Sequence, residues 1–135
     1  MSRTVVSFGE IMLRLAPPGF ERFLQSPGFV ATFGGGEANV AVAVASYGLS
    51  ARYVTVLPPN NPISDGCIAE LRRFGVDTSH IVHGKGRFGV YFLETGANQR
   101  PSKVTYDRDG SELASRGLYV DLPPWGYHVF ELQRK

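Results

Sequence analysis

Apolar residues fall in short runs punctuated by Gly, Pro and Asn, and the spacing within each run predicts a different element. Val5 to Phe8 reads as a short buried strand. Gly9 permits a bend, after which Glu10, Met12 and Arg14 alternate with Ile11, Leu13 and Leu15. Glu10 therefore sits near the C-terminal end of a first strand, where open α/β sheets place their ligands, unless it is only a solvated edge charge. Pro17-Pro18-Gly19 breaks the alternation and opens an irregular stretch to about Phe33 carrying Phe20, Phe23, Phe29 and Phe33. Four phenylalanines in such a segment require cover.

The next run has two periods at once. Val40, Val42 and Val44 alternate as in a strand, while the alanines at 38, 41, 43 and 45 favour helix. The lack of charge over 38–47, Glu37 in the first turn and the stop at Gly48 decide for a helix, buried on nearly all sides. Ala51 to Leu57 predicts a second strand, giving a βαβ unit with a long insertion ahead of its helix. Ser64-Asp65 reads as the N-cap of an amphipathic helix with Cys67, Ile68, Leu71 and Phe74 inward, Glu70, Arg72 and Arg73 outward, and Gly75 as its stop. Val76 to Val82 is a candidate for one more short strand. Arg87 to Thr95 and Lys103 to Arg108, joined by residues 96–102, predict a hairpin.

Candidate chemistry gathers in two of these places. In Gly34-Gly35-Gly36-Glu37-Ala38-Asn39 the glycines allow backbone N–H groups to approach a ligand, and the helix N-terminus adds partial positive charge that suits an oxyanion or a sugar. A dinucleotide fingerprint does not fit: Asn39 stands at the third glycine position, and no acid lies between Glu37 and Asp65. A tight turn packing helix on sheet is the plain alternative. In the hairpin, Val104, Tyr106 and Arg108 share a face. With Tyr91 on the same side, two phenols and a guanidinium could bind hydroxyls and grip a carboxylate, against the simpler reading of surface tyrosines on an amphipathic sheet.

Composition narrows the partners. A chain of 135 residues with 43% hydrophobic content can bury one core, and a net charge of +2 without a dense basic run argues against nucleic acid. Cys67, the only cysteine, reads as a buried core thiol, and His80, His83 and His128 lack metal-ligand spacing, so no metal site is expected. Neither a signal-peptide run nor a membrane-spanning run is seen, so a cytoplasmic protein with a small-molecule partner is expected.

Five stretches together carry a family resemblance: Val6-Ser7-Phe8-Gly9-Glu10-Ile11-Met12-Leu13-Arg14, Gly34-Gly35-Gly36-Glu37-Ala38-Asn39-Val40-Ala41, Leu71-Arg72-Arg73-Phe74-Gly75-Val76-Asp77-Thr78, Gly89-Val90-Tyr91-Phe92-Leu93-Glu94 and Val104-Thr105-Tyr106-Asp107-Arg108. In this order and spacing the chain resembles the N-terminal part of a PfkB (ribokinase-type) carbohydrate kinase, nearest to the 2-keto-3-deoxygluconate kinases. The resemblance spans residues 1–113. It implies a ribokinase-like three-layer α/β core over about 4–16 and 34–82, with a small β lid built from about 17–33 and 87–108.

The resemblance further implies ATP- and Mg2+-dependent phosphorylation of a sugar acid. Gly35 and Asn39 would bind substrate hydroxyls, Tyr91 and Tyr106 would line the lid side, and Arg108 would meet the carboxylate. Glu10 and Gly36 are further candidates for substrate contact. Glu37, where the wider family commonly has a small residue or proline, favours the keto-deoxygluconate branch. Family members are considerably longer, and their catalytic aspartate lies in a C-terminal G-x-G-D motif that this sequence lacks. No catalytic residue is therefore assigned, the main nucleotide-binding residues are expected to be missing, and a truncated, inactive substrate-binding half is expected. From about Ala114 the resemblance stops, leaving 114–135 as a divergent tail. Alternatives are a kinase of the same family for a neutral sugar, or a non-catalytic binding or assembly fragment; a homo-oligomer through the lid is the expected assembly.

Overall fold

The computed structural model describes residues 4–111, so the tail expected from residue 114 lies outside the described residues. The elements run β1 (Thr4–Phe8), β2 (Met12–Ala16), β3 (Val30–Gly34), α1 (Gly36–Ser46), β4 (Ser50–Val54), β5 (Val56–Leu57), α2 (Pro62–Arg73), β6 (Val82–His83), β7 (Val90–Glu94) and β8 (Lys103–Asp107). β1 and β4 pair in parallel around α1, which packs on both, so the βαβ unit forms with β2 and β3 inserted before its helix. β5 and β6 make a second parallel pair. The remaining strands form one sheet in the order β3-β2-β7-β8, antiparallel at both outer pairs and parallel at β2–β7.

Several local expectations are corrected by this arrangement. The stretch ending at Phe33 is not irregular throughout, because Val30–Gly34 pairs with β2 along its whole length. β2 belongs to the four-stranded sheet, in one sheet with both hairpin strands. The expected strand 51–57 is divided at Thr55, whose two sides pair with different partners, β1 and β6. α2 is capped by Asn61, whose Oδ1 accepts from the Ile63 N–H at 2.9 Å, with Pro62 at the first helical position. Ser64, one turn inside, is buried and donates its hydroxyl to the Pro58 carbonyl at 2.9 Å. The glycine stops hold: Gly48 and Gly75 have φ of +76° and +81°, a conformation with little penalty for a residue without Cβ.

Burial differs from the sequence expectation at three places. α1 begins at Gly36 and is buried only at Ala38 and Ala41, with Val40 exposed, because sheet and α2 cover one side of it only. β1 is buried at Ser7 alone, since it is an edge strand with α1 on one face. Phe74 caps the C-terminus of α2 half-exposed, under the Arg73 guanidinium at 4.7 Å, instead of entering the core.

The core is the cluster Ile11, Ala38, Ala41, Tyr53, Leu57, Cys67, Leu71, Val76 and Phe88. Tyr53 is fully buried and donates its hydroxyl to the Gly9 carbonyl at 2.8 Å, and burial, reinforced by Glu37, holds its phenol neutral well above the usual range. Cys67 is the buried thiol the sequence predicts, pushed up to about 12 by burial and, secondarily, by Glu70. Phe23 and Phe29 find their cover on the four-stranded sheet, with ring centroids 5.9 and 6.3 Å from Phe92. Beside them, the Phe23 N–H donates to Glu94 Oε1 at 2.9 Å.

Candidate functional site

Strand register assembles one face of the four-stranded sheet. Thr32 pairs with Arg14, Arg14 with Tyr91, and Tyr91 with Tyr106, so these four side chains form a row on a common face. The two tyrosine rings lie 5.8 Å apart between centroids at 37°, which brings the two phenols of the hairpin together as its alternation predicts. The opposite face, carrying Phe92 and Glu94, is the one the 17–29 loop covers. Period-two alternation thus separates the face packed by the phenylalanines from the face that carries the tyrosine pair.

The glycine-rich turn meets this face at its inner end. Gly34 pairs with Met12, and a Cβ on Gly34 would fall on the Tyr91 hydroxyl, so the phenol reaches the turn only because no side chain is there. Gly35 is the N-cap of α1, with extended backbone and no side-chain cap, and packs against the Glu10 carbonyl. Gly36 opens the helix with free space around it. The first-turn N–H groups are thus capped by no side chain, while Glu37 complements the helix dipole.

Glu10 and Arg108 are engaged with each other. The Arg108 Nη2 lies 3.1 Å from Glu10 Oε2, and the Ser111 hydroxyl donates to Glu10 Oε1 at 2.6 Å. Glu10 is largely buried, with 13% of its side chain exposed against 48% for Arg108, so it is an internal ion-pair partner and not a solvated edge charge. Arg108 follows β8 immediately and keeps half of its side chain open to solvent.

Asn39 lies one turn into α1. It lines a cleft of about 430 Å3 between the β3 edge and the two helices, together with Arg14, Thr32, Phe33, Glu70 and Phe74. Tyr91, Tyr106 and Arg108 are not among the residues lining this cleft. Arg14 connects the two regions, since it belongs to the tyrosine row and donates from Nε to Thr32 Oγ1 at 2.7 Å at the cleft wall. Sequence reasoning missed Arg14, Thr32 and Ser111. The alternation of Glu10, Met12 and Arg14 could have flagged Arg14, but only the parallel β2–β7 register sets it beside Tyr91.

Comparison with known proteins bears on the family and the fold. The model of the pfkB family of carbohydrate kinases matches residues 2–123. A 2-dehydro-3-deoxygalactonokinase of Haloferax volcanii is 38% identical over 125 residues, covering 90% of this chain and 39% of that protein. A 2-dehydro-3-deoxygluconokinase of Thermotoga maritima has a crystal structure that superimposes with a TM-score of 0.74 at 57% identity, covering 77% of this chain and 32% of that one. A PfkB family carbohydrate kinase of Listeria grayi superimposes with a TM-score of 0.79 at 37% identity, over 84% of this chain and 35% of that one. The chain thus spans well under half the length of these relatives and has the mixed α/β arrangement of the N-terminal part of their ribokinase-like fold. It belongs to the pfkB family of carbohydrate kinases.

Proposed function

We propose that this chain provides the sugar-binding side of a kinase that phosphorylates 2-keto-3-deoxygluconate or a closely related keto-deoxy sugar acid. The observation that carries this reading is the pair Tyr91 and Tyr106 on the sheet face that meets the glycine-rich turn, with the half-exposed Arg108 directly after the strand that carries Tyr106. A guanidinium can bind a carboxylate by two parallel N–H···O bonds, and phenols and helix-terminal amides can bind hydroxyls. Gly35, Gly36 and Asn39 are assigned to the hydroxylated end and Arg108 to the carboxylate. The sugar-acid kinases of Haloferax volcanii and Thermotoga maritima support this substrate class.

ATP is the proposed phosphoryl donor, with Mg2+ as its partner ion. Among the described residues no group of three His, Cys, Asp or Glu side chains could hold a metal ion, so the ion is not assigned to them. On this reading the hairpin and the β2–β3 pair form a lid over the substrate, beginning near residue 12, and a second copy of the chain associates through that sheet. Phosphoryl transfer is assigned to residues beyond those of this chain, so the purified chain is expected to bind sugar acid without consuming ATP. Among the described residues no helix is long and apolar enough to cross a membrane, and a cytoplasmic setting is proposed.

A neutral-sugar kinase is the second reading, favoured by the fact that Glu10 already neutralises Arg108. Calorimetric titration of 2-keto-3-deoxygluconate decides between them. Arg108→Ala is expected to weaken binding by ~1.5–3 kcal/mol, the range for hydrogen bonds to charged groups. Unchanged affinity in that variant would remove the carboxylate assignment and leave the neutral sugar.

A further inference from the structure

We propose that Glu10, held by Ser111, is a positioning residue that fixes the Arg108 guanidinium for the substrate carboxylate; the inference rests on the sugar-acid reading above. Arg108 follows the last described strand, at the edge of the sheet, where a long side chain is free to sample many rotamers. A half-exposed arginine in that position loses considerable conformational entropy when a ligand fixes it. Glu10 meets that cost in advance, because Ser111 and Gly89 determine its own position independently of Arg108.

Each neighbour fixes a different part of the carboxylate. Ser111 donates to Oε1 at 2.6 Å, and Oε2 faces Nη2 of Arg108 at 3.1 Å. Gly89 supplies the space: a Cβ there would lie 2.7 Å from Oε1, so any larger residue would push the carboxylate away. Oε2 is buried with no aligned hydrogen bond among the described residues, so the guanidinium is the charge that compensates it. The pair joins the start of β2 to the end of β8 and turns one edge of the guanidinium inward. One such contact leaves the other N–H groups of a guanidinium available, and half of the Arg108 side chain is exposed.

Positioning and simple charge neutralisation predict opposite signs. If Glu10 acted by its charge alone, it would repel a bound carboxylate, and its removal would tighten binding. If it orients Arg108, its removal weakens binding of the acid and leaves a neutral ketose of the same shape unaffected. Glu10→Met keeps the length and removes both acceptors; Glu10→Gln keeps one acceptor for the guanidinium and is the rescue. The experiment is calorimetry of the 135-residue chain and its variants with 2-keto-3-deoxygluconate and with 3-deoxyfructose, in which the carboxylate is replaced by a hydroxymethyl group.

Expected are an approximately tenfold weaker keto acid with Glu10→Met, from the ordering cost of one long side chain, a change under about threefold with Glu10→Gln, and unchanged 3-deoxyfructose throughout. Ser111→Ala should move the acid in the same direction by about twofold to threefold, and it keeps the test available should Glu10→Met fold poorly. Nitrogen-15 spectra of the free chain supply a readout without ligand: hindered rotation of the Arg108 guanidinium in the wild type and in Glu10→Gln, and free rotation in Glu10→Met. Tighter acid binding in Glu10→Met, equal loss for both sugars, or an equally mobile Arg108 in all variants would each overturn the proposal. Loss of acid binding in Arg108→Ala with no effect of Glu10→Met would overturn it while keeping the sugar-acid reading. No acid binding by the wild-type chain would overturn both.

Discussion

In the four-stranded sheet, Phe23 and Phe29 from a loop cover one face while the other carries Arg14 and the tyrosine pair, whereas the parallel pair β1–β4 has α1 on one side and leaves Val6 and Phe8 42% and 44% exposed on the other. The difference lies in the sequences. In β2 and β7 the side-chain period puts Arg14 and Tyr91 on one face and Leu15 and Phe92 on the other, and the loop supplies the aromatic cover within the same chain. β1 is apolar on consecutive positions, a pattern of strands covered on both faces, and here α1 covers one. Stability should therefore concentrate under α1 and at the phenylalanine cluster, and binding on the face of the tyrosine pair.

The largest effect should come from the covered side of the parallel pair. Tyr53→Ala is expected to cost ~3–5 kcal/mol in urea unfolding, the range for removing a buried aromatic, while Tyr53→Phe loses only the Gly9 hydrogen bond at about 1 kcal/mol. A cost under about 1 kcal/mol for Tyr53→Ala would show that the layer under α1 is not the stability centre. Phe92→Ala tests the other region. Its ring is half-buried and touches Phe23 and Phe29, so about 2 kcal/mol is expected, below the range for a fully buried ring.

Cys67 sharpens the contrast through pH. Its thiol is raised in the folded chain to about 12, so the native state favours the neutral form more strongly than the unfolded state does. The stabilisation is complete below the unfolded value of about 8.5 and falls as pH rises through that window toward 12. Cys67→Ala should flatten this alkaline limb between about pH 8 and 9, below the range in which Tyr53 ionises in the unfolded chain; an unchanged slope in urea midpoints would show that the thiol is not buried in solution.

On the exposed face of β1, Val6→Lys should change unfolding stability by no more than ~0.5 kcal/mol, because among the described residues Val6 is exposed. A larger loss would show that this face is covered, and sedimentation velocity would identify self-association as the cover. The smallest effect is expected from Asp77. Hydrogen bonds from Ser79, with Arg52 adding to them, hold its carboxyl below the usual range, so its contribution is present above the unfolded value of about 4 and lost as pH falls. Asp77→Asn should remove a shallow acid limb in the same urea midpoints; an identical acid limb in both proteins would assign that limb to other carboxylates.

Local pattern made much of this fold legible. Gly48 and Gly75 end the two helices, the hairpin falls within residues 87–108, and the shared face of Tyr91 and Tyr106 follows from alternation, since a strand's own period decides which side chains go together. Local pattern misled where a second element decided the outcome. Ser64 looked like a cap, but Asn61 holds that position because Pro62 starts the helix earlier. Val5 to Phe8 looked buried, but burial depends on what covers each face, and no residue in the run encodes that.

The sequence by itself determined the elements, their amphipathic faces and the glycine turn, because those follow from backbone sterics and from the side-chain period within a single segment. Tertiary structure alone decided that Arg14 stands beside Tyr91, that Ser111 secures Glu10, and that Glu10 engages Arg108. Those pairings depend on the parallel register of β2 against β7, which joins strands that no tight turn connects. Such a register is fixed by the packing of Leu13, Phe33 and Phe88 against the core, and a linear pattern carries no record of it.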